Sequence, residues 1–258
     1  MRIDWLARMR IRWQKTRRPQ RLVAGIQCLE ERLLLTTFVV DSTLDTVDAN
    51  PGDGVAADAM GRVTLRAAVQ EANASGGADS ITLPAGFYFL SRFGSAEQTA
   101  TTGDLDITGD LTITGAGADL TDLDGFGQDR VFDILAGATV TISGVKIHGG
   151  AANNAQEDGG GIRNQGLLTL QDVNLSNNTA AGGGGAIFSF GSGSTLTISN
   201  SKLDSNSANG PLGGGAIFNG SVTTITGSML SNNASASNGG AISNLGNISL
   251  TLTESTVK

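Results

Sequence analysis

The chain has 258 residues, 37 of them glycine, with 39% hydrophobic, 5% aromatic and 16% charged residues. This light, small-residue composition is long enough for one elongated domain. Its net charge of −7 divides unevenly: residues 1–37 hold nine Lys or Arg against three acids, whereas residues 38–258 hold eight against 21 and stand at −13. An acidic body argues against a nucleic-acid partner, whose binding is driven by Lys and Arg neutralising phosphates, and suits an exported protein that must stay soluble.

Residues 1–37 read as a basic leader. Arg2, Arg8, Arg10, Arg12, Lys15, Arg17, Arg18 and Arg21 precede the short apolar stretch Leu22-Val-Ala-Gly-Ile26, and Glu30, Glu31 and Arg32 interrupt before Leu33. Neither the unbroken apolar core of a secretory peptide nor a transmembrane segment is present. The run Leu29-Glu-Glu-Arg-Leu-Leu-Leu-Thr36 resembles the export signal of planctomycete extracellular proteins, with Thr36 in place of the usual Ser. That resemblance implies a secreted protein or one at the cell outer membrane surface. Cys28 is the only cysteine, so no internal disulfide can form.

Residues 38–93 read as an N-terminal cap and first rung. Phe38-Val-Val-Asp41 predicts a short strand, and an acidic loop follows through Asp58. Leu65, Ala68, Val69 and Ala72 share one face at helical spacing, with Thr64 as N-cap and Gly76-Gly77 as stop, which predicts a helix over 64–73. Val63-Thr-Leu-Arg-Ala-Ala68 resembles the Cys-Ser-Leu-Arg-Glu-Ala module that precedes many bacterial β-helices. Val63 replaces that module's Cys, and Ala67 replaces the Glu that would complete a capping box. The helix is expected to plug one end of a solenoid, with the strand 80–90 starting the first rung.

Residues 94–138 read as irregular early rungs, built from Leu105-Asp-Ile107, Leu111-Thr-Ile113 and Val131-Phe-Asp-Ile134. Acids gather here. Asp104 and Asp106 share a strand face and, with Asp110, are the candidate ligands for a calcium ion, a cation that takes several oxygens. Neither the RTX nonapeptide nor an EF-hand loop is matched, and a solvated acidic surface is the plainer reading.

Residues 139–258 carry a repeat. An aliphatic pair five positions apart recurs as Ile142 and Ile147, Leu170 and Leu175, Ile198 and Leu203, Ile225 and Leu230, and Leu252 and Val257, with steps of 28, 28, 27 and 27 residues. Gly-Gly-Gly-Ile at 159–162 and Gly-Gly-Ala-Ile at 184–187, 214–217 and 239–242 keep the same phase, as do Leu175-Ser-Asn-Asn178, Leu203-Asp-Ser-Asn206 and Leu230-Ser-Asn-Asn233. Fixed-period self-similarity marks stacked units that bury their apolar faces only against neighbours. Alternation in Thr195-Leu-Thr-Ile198 is strand language, and the Gly, Ser, Thr and Asn filling the period are indifferent helix formers. The expectation is an all-β, right-handed parallel β-helix with three short strands per rung and an N-terminal capping helix. Asn178, Asn206 and Asn233 should stack as an amide ladder; Asn164, Asn219 and Asn244 could form a second, interrupted by Ser189.

These repeats resemble those of the polymorphic outer-membrane protein family, right-handed parallel β-helices found in bacterial surface adhesins, with Leu standing where that family usually has Phe before x-x-Asn. The resemblance covers about the last 120 residues. It implies a non-catalytic surface or secreted protein, adhesin-like or a structural element of the cell envelope, whose partners are extracellular polymers, polysaccharide or a neighbouring cell surface. The alternative is a polysaccharide lyase or hydrolase, or a carbohydrate-binding part of one, using acids of 104–133. No catalytic residue is assigned: the regular rungs hold five acids and four bases, and His148, the sole histidine, reads as a turn residue beside Gly149-Gly150. The chain stops at Lys258 without a cap, so a truncated frame and self-association through that end are both expected.

Overall fold

In a computed structural model, which describes residues 35–94, 97–153 and 157–258, the strands pair in parallel throughout and wind into a parallel β-solenoid, or β-helix. The expectations placed on residues 1–34 of the basic leader, Cys28 included, fall outside the described residues; Thr37, the last residue given to the leader, opens the strand Thr37–Val39 beside Ser80. The repeat period becomes the rung. Leu168, Leu196 and Thr223 lie side by side on successive strands, as do Leu170, Ile198 and Ile225, so residues 27 or 28 apart in sequence become neighbours one strand spacing away.

Each rung visits three walls. The first is built by Leu105–Ile107, Phe132–Ile134, Ile162–Asn164, the starts of Ile187–Ser199 and Ile217–Thr226, and Ile242–Asn244. The second runs from Thr37–Val39 through Ala78–Leu83, Asp110–Gly115, Thr139–Ser143 and Leu167–Gln171, then the ends of those two long strands, to Leu250–Thr253. The third is seven strands: Gly86–Phe89, Thr121–Asp124, Lys146–His148, Asn174–Ser176, Lys202–Asp204, Met229–Ser231 and Thr256–Val257. A fourth sheet of two-residue strands, Ala151–Ala152, Thr179–Ala180, Ser207–Ala208 and Ala234–Ser235, adds to the three expected per rung.

The aliphatic pairs supply two walls of the core. Ile142, Leu170, Ile198 and Ile225 stack inward from the second wall, and Ile147, Leu175, Leu203 and Leu230 from the third, all fully buried. Each such side chain contributes about 1.5–3 kcal/mol on burial. In the last rung Leu252 and Val257 are 40% and 48% exposed.

The polar repeats hold the corners. Asn178 Nδ2 donates to Asn206 Oδ1 at 3.1 Å, and Asn206 Nδ2 to Asn233 Oδ1 at 3.0 Å, as the ladder reading requires. Each amide also donates back to a carbonyl of the rung below, Asn178 to Ile147 and Asn206 to Leu175. The second column changes character at Ser189. Its hydroxyl accepts from Asn164 Nδ2 at 2.8 Å and pairs with Ser221 Oγ at 2.7 Å, so the amide-to-amide ladder breaks there as expected while the break itself stays hydrogen-bonded. The glycine runs answer to crowding. A Cβ on Gly185 would stand 2.3 Å from the carbonyl oxygen of Gly215, and one on Gly215 2.1 Å from that of Gly240, closer than backbone can yield.

The single helix among the described residues, Leu65–Ser75, extends two residues past its expected end. Thr64 caps it, its hydroxyl accepting from Ala67 N at 3.1 Å. Leu65, Ala68, Val69 and Ala72 enter the same apolar cluster as the early rungs. Arg66 is fully buried: its guanidinium pairs with Asp45 and donates to the carbonyls of Ala100, Gly103 and Asp104. Glu71, also buried, accepts from Gly54 N at 2.6 Å and so pins the loop that the sequence leaves irregular. Among the described residues no helix is long and apolar enough to cross a membrane.

Candidate functional site

Two polar centres stand out, and the sequence pointed to only one. In the first, Asp104 and Asp106 flank Leu105 on the first wall, and the strand register sets Asp133 directly beside Asp106. Three carboxylate oxygens, one from each of these aspartates, lie within 4.8 Å of one another, and all three residues are buried. Asp110 is not among them. The chain turns a corner at Gly109, so Asp110 opens the next wall, exposed, where its Oδ1 accepts from Thr139 N at 2.9 Å.

Arg130 and Arg163 supply the counter-charge. Arg130 Nη1 stands 3.0 Å from Asp104 Oδ2 and 3.7 Å from Asp133 Oδ2, and Arg163 Nη1 stands 2.9 Å from the same Asp133 oxygen. Asp106 Oδ2 accepts from Ala100 N at 2.9 Å. Asp106 Oδ1 and Asp133 Oδ1 are buried with no hydrogen-bond partner among the described residues. Desolvation by burial pushes Asp104 up to about 8 and Asp106 up to about 7. Arg130 offsets part of that rise at Asp104, and Asp129, Asp106 and Asp133 add to it. The donor set is the hard oxygen that calcium prefers, but calcium takes about six to eight such ligands, and Arg130 already stands against two of the three carboxylates. Burial also keeps the cluster from a polymer chain, so these acids do not form an accessible acid/base cleft.

The second centre lies on the outer face of the third wall. His148 is not the turn residue expected from Gly149-Gly150. It ends the strand Lys146–His148, and the register places Lys146 beside Asp122 and His148 beside Asp124. Outward-pointing residues then meet across rungs: Asp122 Oδ2 receives Lys146 Nζ at 3.0 Å, and Asp122 Oδ1 lies 2.7 Å from His148 Nε2, an ion-pair approach without hydrogen-bond alignment. Asp124 Oδ1 is 4.0 Å from His148 Nδ1 and accepts from Phe126 N at 2.8 Å. One rung earlier the same two columns carry Phe87 and Phe89. Asp122-Leu123-Asp124 and Lys146-Ile147-His148 share the alternation of polar, apolar, polar, and that common pattern was the signal available in the sequence.

Comparison with family models, with curated proteins and with solved structures yields no match for this chain.

Proposed function

We propose that this chain is a non-catalytic secreted or outer-membrane-surface β-solenoid, adhesin-like or structural, that offers a stiff side to an extracellular polymer or a neighbouring cell. The observation that carries this reading is the second wall's outer face. There Ser80, Thr112, Thr141, Thr169, Thr197 and Thr224 follow one another in strict register, one per rung, with no charge in the column. Hydroxyls repeated every ~4.8 Å on a rigid sheet suit contact with an extended, repeating partner better than with a single small molecule. The likeness of the Gly-Gly-Ala-Ile and Leu-x-x-Asn repeats to those of polymorphic outer-membrane proteins, and of Val63–Ala68 to the Cys-Ser-Leu-Arg-Glu-Ala module, supports the bacterial exterior as its location. The leader's likeness to a planctomycete export signal points the same way.

A second reading, a polysaccharide lyase or hydrolase, draws on one observation: His148 Nε2 stands 2.7 Å from Asp122 Oδ1, a pairing of the residue types that proton transfer to or from a sugar uses, with both atoms shielded from solvent. One experiment separates the two. The chain is incubated with insoluble and acidic polysaccharides and with envelope fragments, with and without calcium. Co-sedimentation without new reducing ends or unsaturated products is the expected result. Product formation lost on His148→Ala would replace the first reading with the second.

A further inference from the structure

The third wall carries an exposed aromatic patch that the fold does not need. Phe87 and Phe89 point outward from Gly86–Phe89, 59% and 45% exposed, with ring centroids 6.1 Å apart and planes within 17° of parallel. Phe126 meets Phe89 edge-on at 6.3 Å. Inward, Tyr88 fills the core column, so removing either Phe ring would take nothing from the interior. A paired, flat, solvent-facing aromatic surface on an otherwise hydroxyl-rich solenoid marks a contact site.

We infer that Phe87, Phe89 and the adjoining Asp122, Asp124, Lys146 and His148 form a binding site for an uncharged glycan. This inference rests on the polymer-binding reading above and names its ligand class. The chemistry is set by juxtaposition. The register puts Phe87 beside Asp122 and Asp122 beside Lys146 in one column, and Phe89, Asp124 and His148 in the other. Columns stand two residues apart along each strand, ~6.7 Å, and rungs ~4.8 Å apart. A sugar ring has an apolar C–H face and a rim of hydroxyls. Laid on the phenyl plates, it turns its rim toward Asp124 one rung away, a partly exposed carboxylate whose Oδ1 is held by Phe126 N, and a carboxylate accepts charge-assisted hydrogen bonds from hydroxyls.

Two features select glycan over other occupants. First, the polar groups are held in place before any ligand arrives: Lys146 Nζ donates to Asp122, and Phe126 N donates to Asp124. Preorganised polar atoms beside a small apolar plate are the make-up of a small-ligand site, whereas a protein partner calls for a wider apolar centre within a polar rim. Second, Lys146 and His148 stand beside two carboxylates, so the plates carry no surplus of basic groups to draw a polyanionic chain. The site also continues. From Lys146 the first column runs to Asn174 and Lys202, both of which line a shallow groove of about 600 Å³ shared with Asn200 and Ser201. Further sugar units would lie along the solenoid axis there, and Asn174 Oδ1 is buried with no hydrogen-bond partner among the described residues.

The test uses the full chain and saturation-transfer NMR with cellohexaose, xylohexaose and mannohexaose, and with polygalacturonate as the acidic comparison. At least one neutral hexasaccharide is expected to bind, more tightly than its trisaccharide, and polygalacturonate more weakly. Phe87→Ala with Phe89→Ala should weaken that binding by at least about tenfold, roughly 1.4 kcal/mol, with circular dichroism unchanged. Asp124→Asn should weaken it while leaving transfer from the phenyl rings in place. Failure of all three hexasaccharides, undiminished binding by the double Phe variant, or preference for polygalacturonate would overturn the assignment. Co-sedimentation with envelope fragments, measured on the same double variant, keeps the two readings apart: retained sedimentation with lost hexasaccharide binding supports this site while assigning the surface contact to another face. Loss of sedimentation by the wild-type chain sinks the broader reading alone.

Discussion

The early and the late rungs share one architecture and satisfy their buried polar groups in opposite ways. Around the cap the polar interior is ionic: Arg66 pairs with Asp45, and Arg130 and Arg163 with Asp104 and Asp133. From Asn178 onward the repeated corner is neutral, with Asn178, Asn206 and Asn233 passing hydrogen bonds along the axis. The difference teaches where regularity helps. An identical neighbour above and below lets one amide both donate and accept, so stacking alone satisfies it. Asp106 and Asp133 are also identical neighbours in register, but a carboxylate only accepts, so stacking cannot satisfy them and arginines stand against the cluster at a desolvation cost.

The sharpest way to break the comparison is at Arg66. Arg66→Ala leaves the Asp45 carboxylate and three carbonyls facing an emptied site and should cost about 4 kcal/mol, within the range for breaking a buried ion pair. Hydrogen exchange should show protection lost over Leu65–Ser75 first and the late rungs retained. Simultaneous loss everywhere would mean that the two regions are one cooperative unit. At the other end, Asn206 makes four hydrogen bonds, accepting from Asn178 N and Nδ2 and donating to Leu175 O and Asn233 Oδ1. Asn206→Ala should cost about 3 kcal/mol by chemical denaturation, because donors of Asn178 are left buried and unmet.

The two regions should also answer pH differently. Asp104 and Asp106, raised by burial to about 8 and about 7, hold protons in the folded chain that the unfolded chain has released. Their contribution to stability is therefore complete below the ordinary carboxylate range and is lost as pH rises through 7 and 8. The thermal midpoint should fall between about pH 5 and about pH 8.5, and Asp106→Asn should flatten that slope. An unchanged slope would remove the buried cluster as its source. Smaller still, Thr64→Ala removes the helix cap and should cost about 1 kcal/mol. Asp110→Asn, at an exposed site outside the cluster, should stay within about 0.5 kcal/mol and leave the pH profile alone.

The legibility of the fold in the sequence follows the same division. The aliphatic pairs and the Asn and glycine repeats sit at a constant phase, so their stacking could be read directly, and Ile142, Leu170, Ile198 and Ile225 do form one column. The two-residue strands of the fourth sheet were too short to leave an alternation. Asp133 was counted among the acids of 104–133 but not grouped with Asp104 and Asp106, for a different reason. Leu105-Asp-Ile107 and Phe132-Asp-Ile134 already stand 27 residues apart, the period of the later rungs, and carrying that period backward would have exchanged Asp110 for Asp133. His148 was legible only by the same step, since its partners Asp122 and Asp124 lie 26 and 24 residues earlier, where intervening loops shorten the period.

Everything here depends on residues one period apart lying side by side. Thr169 and Thr197 are direct partners on adjacent strands, and Thr224 is one strand further on. With Cys28→Ser as background, Thr169→Cys and Thr197→Cys should close a disulfide under mild oxidation, since a Cα separation near 4.8 Å lies within the range such a bond spans. Thr169→Cys with Thr224→Cys, about twice as far apart, should not. Cross-linking of the second pair in preference to the first, or of neither, would contradict the solenoid.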